Sequence, residues 1–145
     1  MAEPIGKKVR FLVAKRANLL CEYCLIAEAD TFIGCEVDHI ISIKHGGITD
    51  PDNLAYACAY CNRYKGSDIA SLTKSGKLVR LYNPRVDIWK EHFWINGIQI
   101  LPVSQIGEVT VSLLMRNHRE RTLEREALQS IGRFPSEVAK KMILD

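Results

Sequence analysis

The sequence has no internal repeat, no low-complexity segment and no apolar run approaching about 18 residues. A membrane-spanning helix needs about 20 consecutive apolar residues, so none is predicted. The basic residues near the start are not followed by an apolar segment of the kind that secretory signal peptides carry. We therefore expect a cytoplasmic protein without a membrane partner.

A strong excess of either charge is also missing, since 20 Lys and Arg residues face 17 Asp and Glu residues. The distribution is uneven, however. Residues 1–16 hold five basic residues and one acid, residues 17–62 hold one Lys and seven acids, and residues 63–90 hold seven basic residues and two acids. An acidic centre flanked by basic segments suits a polyanion that must meet a metal ion. The alternative is that these charges only solvate the surface.

Cysteine is scarce, yet four of the five cysteines form two Cys-x-x-Cys pairs, Cys21 with Cys24 and Cys58 with Cys61. In a reducing compartment this spacing favours zinc over disulfides. Four thiolates complete the tetrahedral coordination of zinc and leave no open position, so the metal is predicted to be structural. A disulfide-linked interaction protein is the alternative. The remaining Cys35 is predicted to be a small buried side chain.

The first half of the chain predicts a compact α+β unit around these cysteines. Lys7 to Leu20 has helical periodicity, Cys35 to Ile41 predicts a strand, Lys44 to Gly47 a turn, and Pro51 to Leu54 the start of a short helix. The predicted buried face of the N-terminal helix consists of Val9, Leu12, Val13, Ala17 and Leu20.

The second half predicts small strands and then helices. After Gly66 the sequence is polar and turn-rich, Leu78 to Tyr82 predicts a short strand, and Trp89 to Phe93 a helical turn. Ile95 to Val103 predicts a hairpin around Asn96-Gly97.

The C-terminal part is predicted to be helical. Val109 to Met115 is apolar, and Asn117 with Glu120 predicts a capping box for a last helix that Gly132 and Pro135 end. Its predicted buried stripe is Leu123, Ala127, Leu128 and Ile131. We expect a single domain over residues 1–145, with a core at about 8–70 and a hairpin and helical extension at about 78–145 that packs on it.

Four polar residues need another explanation if zinc is already saturated: Asp38, His39, Asn53 and Asn62. Carboxylate and amide oxygens suit a hard divalent ion such as Mg²⁺, and a neutral imidazole can act as a general base for water. Taken alone, a His is usually an ordinary surface or core residue, and an Asn after a Cys pair often caps the next helix. Neighbouring residues on a strand face opposite ways, so we expect the strand to end, twist or bulge at Asp38-His39.

These residues occur in an order that resembles the HNH endonucleases: the two Cys pairs, Asp38-His39-Ile40-Ile41, Gly46-Gly47, Asn53-Leu54, and Cys61-Asn62 followed by Lys65. The resemblance covers Cys21 to about Gly66, roughly a third of the chain. Leu81-Tyr82-Asn83-Pro84-Arg85 and the segment Trp89 to Trp94 also look like small stand-alone bacterial members. The resemblance implies a ββα-metal fold and hydrolysis of phosphodiester bonds in double-stranded DNA. Nicking would be the unit reaction, leaving 5′-phosphate and 3′-hydroxyl ends.

The resemblance also implies roles for individual residues. It makes His39 the general base, Asp38 and Asn62 the ligands of a catalytic Mg²⁺ or Mn²⁺, and Asn53 the residue that orients His39 and its loop. Asn62 stands where the family has either His or Asn. A monomer or weak homodimer is expected.

Basic residues near these positions are candidates for substrate contacts. Arg63 and Lys65 follow Asn62 and are predicted to bind phosphates, with Lys44 on the turn next. The rival function is a non-catalytic zinc module that binds nucleic acid. Such a module would need the four cysteines, but it would not need Asp38, His39, Asn53 and Asn62.

Overall fold

The structure is a computed structural model that describes residues 5–114 and 116–144. Short antiparallel strands alternate with helices, which confirms the predicted α+β class. The elements are α1 Lys7–Arg16, β1 Cys35–His39, β2 Leu54–Cys58, α2 Ala59–Lys65, β3 Ala70–Leu72, β4 Leu78–Arg80, β5 Phe93–Asn96, β6 Gln99–Pro102, α3 Gln105–Leu113, α4 Arg119–Ser130 and α5 Glu137–Leu144. Short 3₁₀ turns occupy Glu28–Asp30, Ile43–His45, Pro51–Asn53 and Trp89–Glu91.

The central unit is the hairpin of β1 and β2 followed directly by α2. The strands pair in register from Cys35 opposite Cys58 to His39 opposite Leu54. The predicted helix start at Pro51 to Leu54 is wrong, because a 3₁₀ turn leads there into β2. All five residues of β2 are buried, so the strand lacks the alternation of apolar and polar residues by which a half-exposed strand is recognised.

The N-terminal helix is shorter than predicted. It ends at Arg16, and Asn18 and Leu19 adopt left-handed backbone with φ of 54° and 57°. This turn lets Leu20 form a bridge with Ala27 around the first cysteine pair. Its predicted face is partly wrong, since Leu12 lies within the helix and is 45% exposed.

Two apolar clusters hold these elements together. One lies between α1 and the hairpin and consists of Val13, Ala17, Leu54 and Tyr56. The larger one surrounds the cysteines and continues into the extension through Tyr82, Trp89 and Phe93. The extension therefore packs against the cysteine-rich unit, as the sequence analysis expects.

The hairpins of the second half differ in how well the sequence predicts them. β5 and β6 confirm the hairpin around Asn96-Gly97, and Trp89–Glu91 confirms the turn. β4 ends at Arg80, two residues before Tyr82, and pairs with β3. β3 lies in the polar, turn-rich segment after Gly66, where the sequence predicts no strand.

The helix α4 contradicts two predictions. Its N-cap is His118, which makes no capping bond, while the Asn117 side chain binds the backbone N–H and carbonyl of Ile100 at 2.9 and 2.7 Å. The predicted apolar stripe is also largely wrong: Leu128 packs against the larger apolar cluster, but Leu123 is 49% exposed, and the buried residues of α4 are Arg121 and Arg125. The helix ends at Ser130, before Gly132, as predicted.

Two sequence predictions remain outside these findings. Met115, the predicted end of an apolar helix, lies outside the described residues, and the division into a core and an extension of one domain stays a prediction. No helix in residues 5–114 or 116–144 is long and apolar enough to cross a membrane.

A substitution at Gly107 tests the packing of α3. A Cβ at this position would lie 2.1 Å from the carbonyl oxygen of His92. Helix propensity alone predicts that Gly107→Ala is stabilising, but the overlap with backbone should lower the free energy of unfolding by about 1–3 kcal/mol. Denaturant unfolding measures it, with Gly6→Ala as the control because no atom lies within 4 Å of that Cβ. A stabilised Gly107→Ala protein would contradict this packing.

Candidate active site and metal centre

The four paired cysteines form one buried cluster. Cys21 and Cys24 come from the loop after α1, Cys58 ends β2, and Cys61 lies in the first turn of α2. Their sulfur atoms all lie within 4.8 Å of one another, and the Sγ atoms of Cys24 and Cys58 are 3.7 Å apart. Tetrahedral zinc with bonds of about 2.3 Å separates its sulfur ligands by about 3.8 Å. The donor set and its spacing therefore fit a structural zinc ion.

The backbone supports this cluster. The N–H of Cys24 donates to Cys21 Sγ, and the N–H of Cys61 donates to Cys58 Sγ, both at 3.5 Å. Hydrogen bonds with the Cys21, Cys58 and Cys61 thiols and, to a lesser extent, the charge of Arg121 lower the pKa of Cys24, whereas burial raises the pKa of Cys21. A thiolate is the form that binds metal.

The fifth cysteine lies outside the cluster. Cys35 is half-buried at the start of β1, and burial raises the pKa of its thiol. It packs against both apolar clusters, in line with the predicted small hydrophobic role.

Asp38 lies on the face of β1 that is turned toward α2. Its carboxylate is 6% exposed, accepts a hydrogen bond from the Tyr23 hydroxyl at 3.0 Å and pairs with the Lys65 ammonium at 3.1 Å. Burial raises the pKa of Asp38, and Lys65 and Tyr23 oppose this rise. Lys65 also donates to the His39 carbonyl at 3.0 Å. One buried cation therefore fixes both the carboxylate and the backbone at the end of the strand.

The placement of Lys65 corrects a sequence expectation. Lys65 is 2% exposed, so its ammonium faces Asp38 and does not lie at the surface to meet a phosphate. Arg63 and Lys44 are exposed, as a phosphate contact requires. The sequence shows that all three residues are basic. It does not show that Lys65 is buried and the other two are exposed, because burial depends on the helix face and on a partner that is distant in sequence.

β1 ends at His39, as expected from the need of Asp38 and His39 to serve one site. The Nε2 atom of His39 is 2.9 Å from the Thr49 hydroxyl, which orients the ring. No sequence motif marks Thr49 as a site residue. Only the fold of the loop brings it to the imidazole.

Asn53 holds the loop that follows His39. Its Oδ1 accepts from the Ile41 N–H, and its Nδ2 donates to the carbonyls of Ile41 and Ile48, all at 2.9 Å. Gly47 closes this arrangement, because a Cβ there would lie 1.8 Å from the Ile41 carbonyl oxygen. Asn53 thus contacts the loop backbone, whereas Thr49 contacts the His39 ring.

Asn62 projects from α2 toward β1. Its Nδ2 donates to the Glu36 carboxylate at 2.7 Å. The helix cap is Cys58, whose Sγ accepts from the Cys61 N–H, so Asn62 is not the cap of α2. Glu36 is a second residue that the sequence analysis misses, although its position two residues before Asp38 places it on the same strand face.

A cavity of about 250 Å³ lies where these elements meet. Asp38, His39 and Asn62 line it together with Ser42 and Gly66. The structure thus brings three of the four predicted polar residues to one cavity, while Asn53 supports the loop beside it. Oxygen and imidazole donors around a cavity of this kind suit a hard divalent cation and a water molecule.

Comparisons with known proteins agree with this arrangement. Residues 21–68 match the family model HNH, described as HNH endonuclease. The matched segment contains both cysteine pairs, β1, β2 and α2. The match confirms the predicted resemblance of this segment to the HNH endonucleases, and the four-cysteine cluster is consistent with a zinc-knuckle type. Domains of this family are generally nucleases. No curated protein and no solved structure matched the chain.

The fifth cysteine provides a matched control for the metal centre. Cys58→Ser should lose bound zinc and cooperative unfolding, because structural zinc contributes roughly 10 kcal/mol or more of apparent binding free energy in small domains. Cys35→Ser should keep one zinc per chain. Elemental analysis under reducing conditions and thermal unfolding measure both. Folded wild-type protein without zinc, or equal metal loss in the two variants, would contradict the assignment.

Proposed function

We propose that this protein is a metal-dependent endonuclease that hydrolyses phosphodiester bonds in double-stranded DNA. The observation that carries the proposal is the cavity lined by Asp38, His39 and Asn62 within the segment that matches the HNH family. A zinc-binding module without activity has no use for a base and two oxygen donors around one cavity.

Asp38 and Asn62 are the proposed ligands of a catalytic Mg²⁺ or Mn²⁺. Both offer the oxygen donors that hard divalent ions prefer, and few protein ligands leave room for substrate. When bound, such an ion supplies positive charge to the scissile phosphate and the departing 3′ oxygen. Lys65 fixes the Asp38 carboxylate in place.

Glu36 decides which end of the Asn62 amide faces the cavity. A carboxylate only accepts hydrogen bonds, so it takes the Nδ2 end of the amide and leaves Oδ1 free. An amide turned the other way would present N–H groups, which bind no cation. We therefore assign Glu36 the role of orienting Asn62 as an oxygen ligand.

His39 is the proposed general base. In the tautomer whose Nε2–H donates to the Thr49 hydroxyl, Nδ1 carries the free lone pair and can take a proton from water. The water oxygen then bonds to phosphorus as the bond from phosphorus to the 3′ oxygen breaks. The departing 3′ oxygen takes a proton from solvent water, so the products carry 5′-phosphate and 3′-hydroxyl ends. Asn53 and Gly47 keep the loop, and with it the base, in position.

The exposed side chains of Arg63 and Lys44 are the proposed phosphate contacts at the rim of this site. Because one site per chain cuts one strand, nicking is the proposed unit reaction for a monomer. Cleavage of both strands would need a weak homodimer or two encounters.

One observation favours a second candidate function, a nucleic-acid-binding zinc module without activity. Asp38 already has a cationic partner in Lys65, and it is 6% exposed, so a metal ion must compete with or join this pair. Nicking of supercoiled plasmid during a titration with Mg²⁺ or Mn²⁺ separates the two candidates. DNA binding without nicking at any metal concentration would favour the second.

The base is tested by His39→Ala. Because proton transfer contributes about 10²–10⁴-fold to a rate, metal-dependent nicking should fall at least about a hundredfold, while zinc content and DNA affinity are kept. His118→Ala is the control, since His118 is exposed and lies outside the site. Plasmid nicking rates at saturating Mn²⁺ provide the measurement. An undiminished rate in His39→Ala would remove this residue from the mechanism.

Substitutions of Asn62 and of its partner Glu36 test the proposed metal ligand. Asn62→Ala should need far more Mg²⁺ for half-maximal nicking, and Asn62→His should shift the preference toward Mn²⁺, Co²⁺ or Ni²⁺ because imidazole is a softer ligand. Glu36→Gln can bond either end of the amide, so it should raise the half-saturating Mg²⁺ concentration less than Asn62→Ala. The control is Glu120→Gln, an exposed position on α4. Unchanged metal dependence in all the site variants would mean that Asn62 only stabilises the helix.

A further inference from the structure

The helix α4 buries arginines where an amphipathic helix buries leucines. Arg121 and Arg125 are each 1% exposed, whereas Leu123 on the same helix is 49% exposed. A guanidinium is always charged and is strongly hydrated relative to an apolar side chain, so its burial requires a partner of opposite charge or several acceptors. For Arg125 the acceptors are the backbone carbonyls of Ile98 and Arg116, both at 2.6 Å, and the Asn117 Oδ1 at 3.0 Å.

Arg121 has a different set of partners, namely the cysteine cluster. Its Nη2 lies 3.2 Å from Cys24 Sγ and 3.6 Å from Cys58 Sγ, and its Nη1 lies 3.7 Å from Cys61 Sγ. One guanidinium thus reaches three of the four sulfur atoms. Its position is fixed further by the Tyr60 ring, whose centroid is 4.8 Å away.

The charge of the metal centre explains why a cation is buried there. Four thiolates carry four negative charges and zinc carries two positive ones, which leaves a net charge of about −2 in a buried site. Arg121 lies against this charge. Its one carboxylate contact among the described residues is with Glu124, at 3.4 Å from Nε, so the Cys24 sulfur at 3.2 Å is its nearest anionic neighbour there.

Arg116 adds an independent observation. It is 0% exposed, its guanidinium lies 4.1 Å from the centroid of the Phe93 ring, and none of its side-chain nitrogens has a hydrogen-bond partner within the described part of the chain. Burial lowers the pKa of Arg116, and the negative charge of Cys61, Cys24 and Cys21 opposes this effect. Arg116 is thus a second buried cation of the extension, and its geometric partner is the face of the Phe93 ring.

We propose that Arg121 is an outer-sphere residue of the zinc centre, which holds the thiolates of Cys24, Cys58 and Cys61 and retains the bound metal. The same contacts attach α4 to the HNH domain. Because coupling between two binding events is reciprocal, a metal ion that is held more tightly when α4 is docked also holds α4 more tightly. The proposal concerns zinc retention and does not depend on nuclease activity.

Zinc release to a chromogenic chelator in reducing buffer tests this role. In the full-length protein, Arg121→Met keeps the apolar stem and removes the charge, and release should become about 10–100-fold faster, as is typical when a group hydrogen-bonded to a metal ligand is lost. Arg119→Met, on the exposed first turn of the same helix, should release zinc at the wild-type rate. Amide hydrogen exchange should show reduced protection of α4 in Arg121→Met alone.

A third variant separates the charge effect from simple packing. Glu124→Gln removes a negative charge beside Arg121, so it should release zinc no faster than the wild type, whereas disturbed packing would accelerate release in both variants. The proposal would be overturned if Arg121→Met released zinc at the wild-type rate, or if Arg121→Met and Glu124→Gln released zinc faster by the same factor. If Arg121→Met does not fold, the rate of zinc release from Arg121→Lys is measured instead. A point charge cannot reach three sulfur atoms, so faster release supports the proposal and wild-type release overturns it.

Discussion

The four-cysteine cluster is the constraint on which the rest of the molecule depends. The hairpin of β1 and β2 has only five residues in each strand, and an isolated two-stranded hairpin of this size is marginal in water. The cluster joins the loop before the hairpin to the end of β2 and the first turn of α2. It thereby fixes the angle between hairpin and helix. Asn62 directly follows the ligand Cys61, and Asp38 lies on the strand paired with β2, so the distance between the two proposed oxygen ligands is set by the thiolates.

The candidate active site depends on two features of β1: alternate residues share one face of the strand, and the strand ends at His39. Asp38 and Glu36 share the face turned toward α2, where Lys65 and Asn62 meet them. His39 is the last residue of β1, so its ring is held by the following loop through Thr49. Asp38, His39 and Asn62 thus each have a defined partner that fixes the orientation of the side chain. Such prior orientation is what a site needs when it offers few groups to the substrate.

The sequence predicted those features that depend on local spacing and on ligand chemistry. Two Cys-x-x-Cys pairs allow little besides a metal or disulfides, and Asp38-His39 stands out within an apolar strand. Features that depend on a distant partner were not predictable. Glu36, Thr49 and the burial of Lys65 become meaningful only when the hairpin meets α2. β2 was missed because both of its faces are buried, and apolar residues without alternation fit a strand and a helix equally well.

The largest disagreement concerns α4, and it has a physical explanation. The rule that a packed helix buries its leucines assumes that the surface beneath it is apolar. Here the surface beneath α4 includes sulfur atoms that carry negative charge when zinc is bound, so a guanidinium is a better complement than a methyl group. Arg121 contacts the sulfur atoms, whereas Leu123 is exposed to solvent. The HNH segment of residues 21–68 contains all four thiolates but not the arginine that lies against three of them. The metal centre therefore extends beyond the matched domain, and the C-terminal extension supplies part of its electrostatic environment.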